Sequence, residues 1–376
     1  LLPAGLRDLL PPEAETEAAA VEALMDAFAA HGYQRVKPPL LEFEDSLLAG
    51  SGAAVADQTF RMMDPDTRRM MGVRADMTPQ VARIATTRLG HMPRPLRLSY
   101  AGQCLRVHAS QLAPDRQLAQ AGIELIGHDS PAADAEIVLV AAEALAAMGL
   151  RALSIDLTMP NLVPTLLDEA GMAPEARARL ARALDRKDAA AVAERGGPLA
   201  GTLTDLLLAA AGPAERALAA LAAAALSPGA RVHADRLART VAAIHATAPT
   251  LKLTVDPVEF RGLRYHTGVC MTLYAPGRHE ELGRGGRYIC GEAEPATGLT
   301  LYPDAVLRAV PARQARPRAY LPAGTGVAQA AALRGQGFAT VAALDAAADP
   351  RAEALRLGCT HILAANGRAA PLEPTE

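Results

Sequence analysis

Tryptophan is absent from the chain, and lysine occurs only at Lys37, Lys187 and Lys252. Arginine therefore carries almost all the positive charge, and the net charge is −3. A near-neutral chain with scattered Arg has no basic stripe, which argues against a large nucleic-acid surface. Metal-ligand spacing is missing too: Cys104, Cys270, Cys290 and Cys359 are isolated, without CxxC or a Cys/His cluster. They are expected as buried small apolar residues, and neither a metal site nor a cofactor is expected. Long apolar runs are also lacking. The stretch LAALAAAAL is too short and too Ala-rich to span a bilayer. No charged leader with a cleavage site opens the chain, so a cytoplasmic location is expected, and the missing first Met reads as a trimmed start. What remains is 376 residues, half of them hydrophobic and much of that Ala, enough for two domains and a large core.

Periodicity divides the chain. In PPEAETEAAAVEALMDAFAAHGY, Val21, Leu24, Met25 and Phe28 give one apolar helix face, and Gly32 supplies a stop. QRVKPPLLEFE reads as a strand broken by Pro38-Pro39, which needs an edge or a subunit contact. MMGVRAD is strand-like, and Thr78-Pro79 reads as N-cap and first helical residue. LRLSYAGQCLRVH and QLAQAGIELIG, joined by ASQLAPDR, predict an antiparallel pair. The helix IVLVAAEALAAMGL and the strand ALSIDLTMP follow. Residues 173 to about 250 are Ala-, Leu- and Arg-rich and predict a helical insertion. Strands return in LKLTVDPVEF and GVCMTLYA, before the Gly-rich GRGGRY and ATGLTLYPDAVLRAV. The expectation is an α+β core over residues 1–315, built on an antiparallel sheet flanked by helices, and a small α/β unit over 316–376.

Polar residues fall into short constellations. Period-two geometry puts Gln120, Gly122 and Glu124 on one strand face. Gly122 leaves room between an amide and a carboxylate for an ammonium group; the plainer reading is an exposed face of a half-buried sheet. Arg106 and His108 share a face on the neighbouring strand, where Arg could grip a carboxylate or phosphate or make a surface ion pair. Asp76 stands near Thr78 at a helix start, as a functional group or a dipole partner. In EFRGLRYHTGVC, Arg261 could clamp a carboxylate, while Tyr265, His266 and Thr267 could orient a small polar ligand.

Taken in order, PAGLRDLLPPEA, GYQRVKPPLLE, VRADMTPQVAR, CLRVHASQLAPDRQLAQAGIELIG, FRGLRYHTG, GRGGRY and ATGLTLYPDAVL resemble the core of histidyl-tRNA synthetases, from the first residues to about 310. RGLRYHTG stands at the family's histidine signature, usually RGLDYYT, and VRADMTPQ stands at RPEGT. The departures fall on the ATP side. Arg106 survives from Arg-x-Glu, but His108 replaces the Glu, and APDR keeps only Arg116 of Gly-Arg-x-Arg. In GLTLYPDAVL, Tyr302, Asp304 and Ala305 stand where the family has Gly, Glu and Arg, and Pro303 reads as poorly placed in the helix that follows. Arg264 and His266 replace the Asp and second Tyr of the histidine signature. Adenylate formation depends on neutralising phosphates, so this pattern predicts binding without adenylation.

A synthetase-like core without its phosphate clamps, and with a short C-terminus, is similar to the regulatory subunits of ATP phosphoribosyltransferase. That resemblance implies a class II synthetase-like fold and a non-catalytic partner of a short-form catalytic chain. It also implies a homodimer within a glycosyltransferase hetero-oligomer of hexameric or octameric type, histidine as effector, and no tRNA. Histidine would act by binding one quaternary state better. Carried over by position, Glu124, Gln120 and Thr78 would face the ligand's ammonium, with Asp76 beside them, and Arg106 would stand nearest its carboxylate. Arg261, Tyr265, His266 and Tyr288 would line the side-chain end. A histidyl-tRNA synthetase or a stand-alone paralogue with a macromolecular partner is the alternative.

Overall fold

The computed structural model describes residues 1–109, 114–210, 212–259, 265–311 and 315–372. Its contacts divide the chain into compact units Leu1–Pro311 and Ala312–Glu376.

The first unit opens with α1 (Glu13–Ala30), which buries Leu24, Met25 and Phe28. Gly32, at φ 81°, ends it in a conformation that favours glycine. Two short strands follow, β1 (Gln34–Arg35) and β2 (Leu41–Phe43), and then α2 (Glu44–Leu47). The segment read as one broken strand is thus two strands in two different sheets. Pro38 and Pro39 make the crossing, their carbonyls accepting from the Arg74 guanidinium at 3.1 and 3.5 Å. Next come β3 (Phe60–Met63), β4 (Met70–Val73) and α3 (Thr78–Arg83), and the order β2-β4-β3 forms a small antiparallel sheet.

The long pair β5 (Leu96–Leu105) and β6 (Gln117–Ile126) is antiparallel, as the short connection predicts. α4 (Pro131–Ala147) starts at Ser130, whose hydroxyl accepts from the Ala133 amide. β7 (Ser154–Thr158) and α5 (Leu162–Glu169) lead into α6 (Pro174–Asp185), α7 (Ala189–Arg195), α8 (Ala200–Ala209), α9 (Ala214–Ala223) and α10 (Pro228–Thr247). The chain then returns through β8 (Lys252–Asp256), β9 (His266–Tyr274), β10 (Glu281–Cys290) and β11 (Glu294–Leu301) to α11 (Pro303–Ala309). Pro303 does not spoil this helix. It begins it, where a missing N–H costs nothing.

Eight strands form the main sheet in the order β1-β5-β6-β11-β10-β9-β7-β8. Its centre is antiparallel as expected, while β1 and β8 add parallel edges. On one face Ile123, Leu125, Ile155, Leu157, Leu299 and Leu301 pack in a core with Ile137, Val138 and Leu145 of α4 and Leu237, Val241 and Ile244 of α10. A buried ion cluster ties this layer together: Asp134 of α4 receives Arg287 of β10 at 2.7 Å and Arg236 of α10 at 3.1 Å. Cys104, Cys270, Cys290 and Cys359 are buried free thiols. No helix among the described residues is long and apolar enough to cross a membrane.

The second unit comprises β12 (Arg318–Leu321), α12 (Val327–Gly335), β13 (Ala339–Ala342), α13 (Pro350–Arg356), β14 (His361–Leu363) and β15 (Ala369–Pro371). Its order is β13-β12-β14-β15, parallel except for β15. Small apolar clusters cover both faces, one around Leu321, Leu333 and Leu363, the other around Tyr320, Ala354 and Ile362.

Candidate functional site

The face of the main sheet away from the aliphatic core is polar at its centre. Cross-strand register aligns Tyr100, Gly122, Thr300 and Arg284 in one row across β5, β6, β11 and β10. The next row on that face carries Leu98, Glu124, Gly298 and Gly286. Gly298 is required there, because a Cβ at that position would lie 1.7 Å from Glu124 Oε2. Gly286 likewise makes room, for the His266 ring and the Cys270 thiol.

Glu124 is 1 % exposed and sits in a ring of hydroxyls. Thr78 donates to Oε1 at 3.1 Å, Tyr100 to the same oxygen at 3.3 Å, and Tyr288 to Oε2 at 3.0 Å. No Lys or Arg among the described residues pairs with it. Burial pushes its pKa up to about 8, against the downward pull of the Tyr288, Thr78 and Tyr100 hydrogen bonds. Burial also raises the phenols of Tyr100, Tyr265 and Tyr288, so they remain donors. A buried carboxyl group with hydroxyl partners alone can ionise to pair with a ligand cation.

Beside it, Gln120 is fully buried and ties β6 to the segment that leads into α3. Its carbonyl oxygen accepts from the Met77 amide at 3.1 Å, and its amide donates to Asp76 at 2.9 Å. Asp76 also accepts from the Thr78 amide at 2.9 Å. Thr78 is therefore not the cap of α3. It is the first helical residue, and its hydroxyl is turned to Glu124. The Tyr265 ring lies 3.9 Å from that of His266 and 6.1 Å edge-on from that of Tyr288.

Gln120, Gly122 and Glu124 do share a face, and it is buried, not exposed. The room left by Gly122 is already filled: a Cβ there would meet the Tyr100 hydroxyl at 2.4 Å. Tyr100 also bonds Thr300 at 2.8 Å, and neither was singled out from the sequence. Their signal was the pairing of β5 with β6, which sets Tyr100 opposite Gly122. Arg106 and His108 do not share a strand face, because β5 ends at Leu105. Arg106 is half-buried with its Nε 3.5 Å from the Ala75 carbonyl, and it is absent from the lining of the cleft. Arg261 lies outside the described residues, as does Arg264.

The cleft is lined by Thr78, Glu124, Tyr265, Arg284, Tyr288 and Thr300 with the glycines between them, and its cavity is tight, about 10 Å³. That is room for one water. A larger cavity, about 850 Å³, lies in the second unit among Tyr320, Val341–Asp349 and α13. Three of its charged groups are engaged locally: Asp349 caps α13, and Glu353 pairs with Arg356. The polar chemistry lies in the tight cleft.

On the side where a phosphate clamp would stand, Ala305 is buried in the aliphatic core and His108 is exposed. Arg116 is committed to the Arg106 carbonyl at 3.1 Å and the Ala4 carbonyl at 3.3 Å, with its guanidinium over the Phe60 ring.

Residues 5–306 match the family model described as Histidyl-tRNA synthetase. The chain is 58 % identical to a protein named ATP phosphoribosyltransferase regulatory subunit from Paramagnetospirillum magneticum, over 98 % of this chain and 97 % of that one. It is 54 % identical to a protein of the same name from Gluconobacter oxydans, over 99 % and 97 %. Among solved structures, an ATP phosphoribosyltransferase regulatory subunit/histidyl-tRNA synthetase from Bacillus halodurans superposes with TM-score 0.80 at 22 % identity, covering 95 % of this chain and 96 % of that one. A histidyl-tRNA synthetase from a Nostoc species gives TM-score 0.79 at 15 % identity, covering 97 % and 91 %. The two superpositions identify the fold as class II histidyl-tRNA synthetase-like.

Proposed function

Because the chain belongs to the family of ATP phosphoribosyltransferase regulatory subunits, we propose that it serves a separate short-form catalytic chain. It raises that partner's activity and lowers it when histidine binds. The observation that carries the reading is the asymmetry around Glu124. On the amino-acid side of the cleft, Thr78, Tyr100 and Tyr288 converge on a buried carboxylate. The phosphate side has Ala305 and His108 where a clamp needs charge. Such a site holds an amino acid by its ammonium group and does not activate it.

Within this reading Glu124, Gln120, Asp76 and Thr78 surround the ligand's ammonium, and Tyr265, His266 and Tyr288 line its side-chain end, to which sequence correspondence adds Arg261. The chain forms a homodimer inside a hexameric or octameric assembly in the cytoplasm, and it charges no tRNA. Leu41, Met62, Met63 and Met70 support self-association, because the small sheet exposes all of them. Regulation is linkage: histidine binds one quaternary state better and shifts the assembly towards it.

The test is an initial-rate assay of a short-form catalytic chain, with and without this one, across a histidine titration. Activation by the chain and inhibition by histidine are the expected results. Histidine-dependent pyrophosphate–ATP exchange above a no-enzyme control would overturn the reading in favour of a synthetase.

A further inference from the structure

Arg284 lies in GRGGRY on β10, and nothing in its sequence context marks it as a contact residue. The fold places it at the cleft. It stands in the row of Tyr100, Gly122 and Thr300, one row from Glu124, and it lines the same cavity as Glu124, Thr78 and Tyr288. Arg284 is also the one cation among the described lining residues. Its side chain is 44 % exposed, and among the described residues its one carboxylate partner is Glu281, at 3.8 Å. In a regular strand, residues i and i+3 point to opposite faces. The register shift between Glu281 and Gly283 brings this pair to one face. An exposed pair at that distance is cheap to break.

We propose that Arg284, and not Arg106, is the residue that holds the ligand's carboxylate. It thereby selects a free α-amino acid over a ligand blocked at that end. The proposal rests on the pocket reading given above and adds the anionic half of it. A zwitterion needs opposite charges on two sides of one cleft, and Glu124 and Arg284 are the pair supplied among the described lining residues. The tightness of the cavity fits this role. A ligand larger than one water enters only if a wall moves, and Arg284 is the long exposed wall. Swinging it off Glu281 opens the cleft without moving a strand, and the ligand's carboxylate then replaces Glu281 as its partner. The guanidinium fork suits that exchange, since it meets a carboxylate with two parallel N–H donors.

The experiment titrates L-histidine and L-histidinamide into the full chain, alone and with its catalytic partner, and reads the ratio of the two affinities. The amide keeps the ligand's shape and lacks its negative charge. In the wild type, histidine should bind on the order of ten- to a hundred-fold more tightly, the worth of a charge-assisted contact. Arg284→Gln should bring that ratio to about one, Arg284→Lys should restore part of it, and Arg106→Gln should leave it unchanged. An unchanged ratio in Arg284→Gln, or a collapse in Arg106→Gln alone, overturns the assignment to Arg284 while the pocket stands. If Glu124→Gln also binds histidine as the wild type does, the pocket reading itself falls.

Discussion

The two faces of the main sheet are built from the same strands to opposite ends. From β6, Ile123 and Leu125 enter the aliphatic core under α4, while Gln120, Gly122 and Glu124 turn the other way into hydroxyls and amides. On the first face side chains are interchangeable in kind and fixed by volume. On the second Glu124, Gln120 and Tyr100 are fixed by specific hydrogen bonds, and three glycines (Gly122, Gly286 and Gly298) keep space that neighbours already use. Apolar burial lies on one side and the polar candidate site on the other, and strand alternation keeps them apart.

The largest effect is expected where the apolar side holds charge. Asp134→Ala leaves Arg287 and Arg236 without their buried partner, and unfolding free energy should fall by about 3–5 kcal/mol. Denaturant titration measures it, and a loss below about 1 kcal/mol would show that this cluster is solvated. Leu157→Ala, fully buried in the same layer, should cost about 2–5 kcal/mol and leave histidine affinity intact, since the opposite face is untouched. A large drop in affinity would break the separation between the faces.

Gly298→Ala tests the other side. Its methyl group must displace the Glu124 carboxylate, so affinity should fall by more than about tenfold, for about 1–3 kcal/mol of strain. Calorimetry against a denaturant curve separates the two, and equal affinity would show that Glu124 is not the contact.

The last test is a pH dependence. Glu124 titrates at about 8 in the folded chain, above the ordinary 4.5. Between those values the folded chain holds a proton that the unfolded chain has released. The stability from this group is therefore full below the lower value and lost as pH rises through the upper one. Relative to Glu124→Gln, the wild type should lose stability steadily from about pH 5 to about pH 8. A flat difference would mean the carboxyl is ionised throughout.

Much of the fold was legible because it is local. The face of α1, the β5–β6 hairpin and the alternation along β6 follow from residue spacing alone. What was not legible depends on partners far away in the chain. Pro38-Pro39 read as a flaw in one strand, and the fold uses it to cross between sheets under Arg74. Pro303 read as a helix breaker, and it starts a helix instead. Thr78 read as a cap from its neighbours, while a carboxylate 46 residues away decides its rotamer. In the candidate site, Glu124 and Gln120 were visible as one face. Tyr100, Thr300 and Arg284 were not, because their rows exist only once β5, β6, β11 and β10 are laid side by side.

Glu124 and Gly298, like Tyr100 and Gly122, divide a single volume between two positions distant in the gene. Neither member of a pair can drift alone. A lineage that enlarges residue 298 must first shorten residue 124, and one that adds a side chain at 122 must first give up the tyrosine at 100. The order of substitutions is therefore constrained. Relatives that have left this cleft behind should have lost the acid before the glycine.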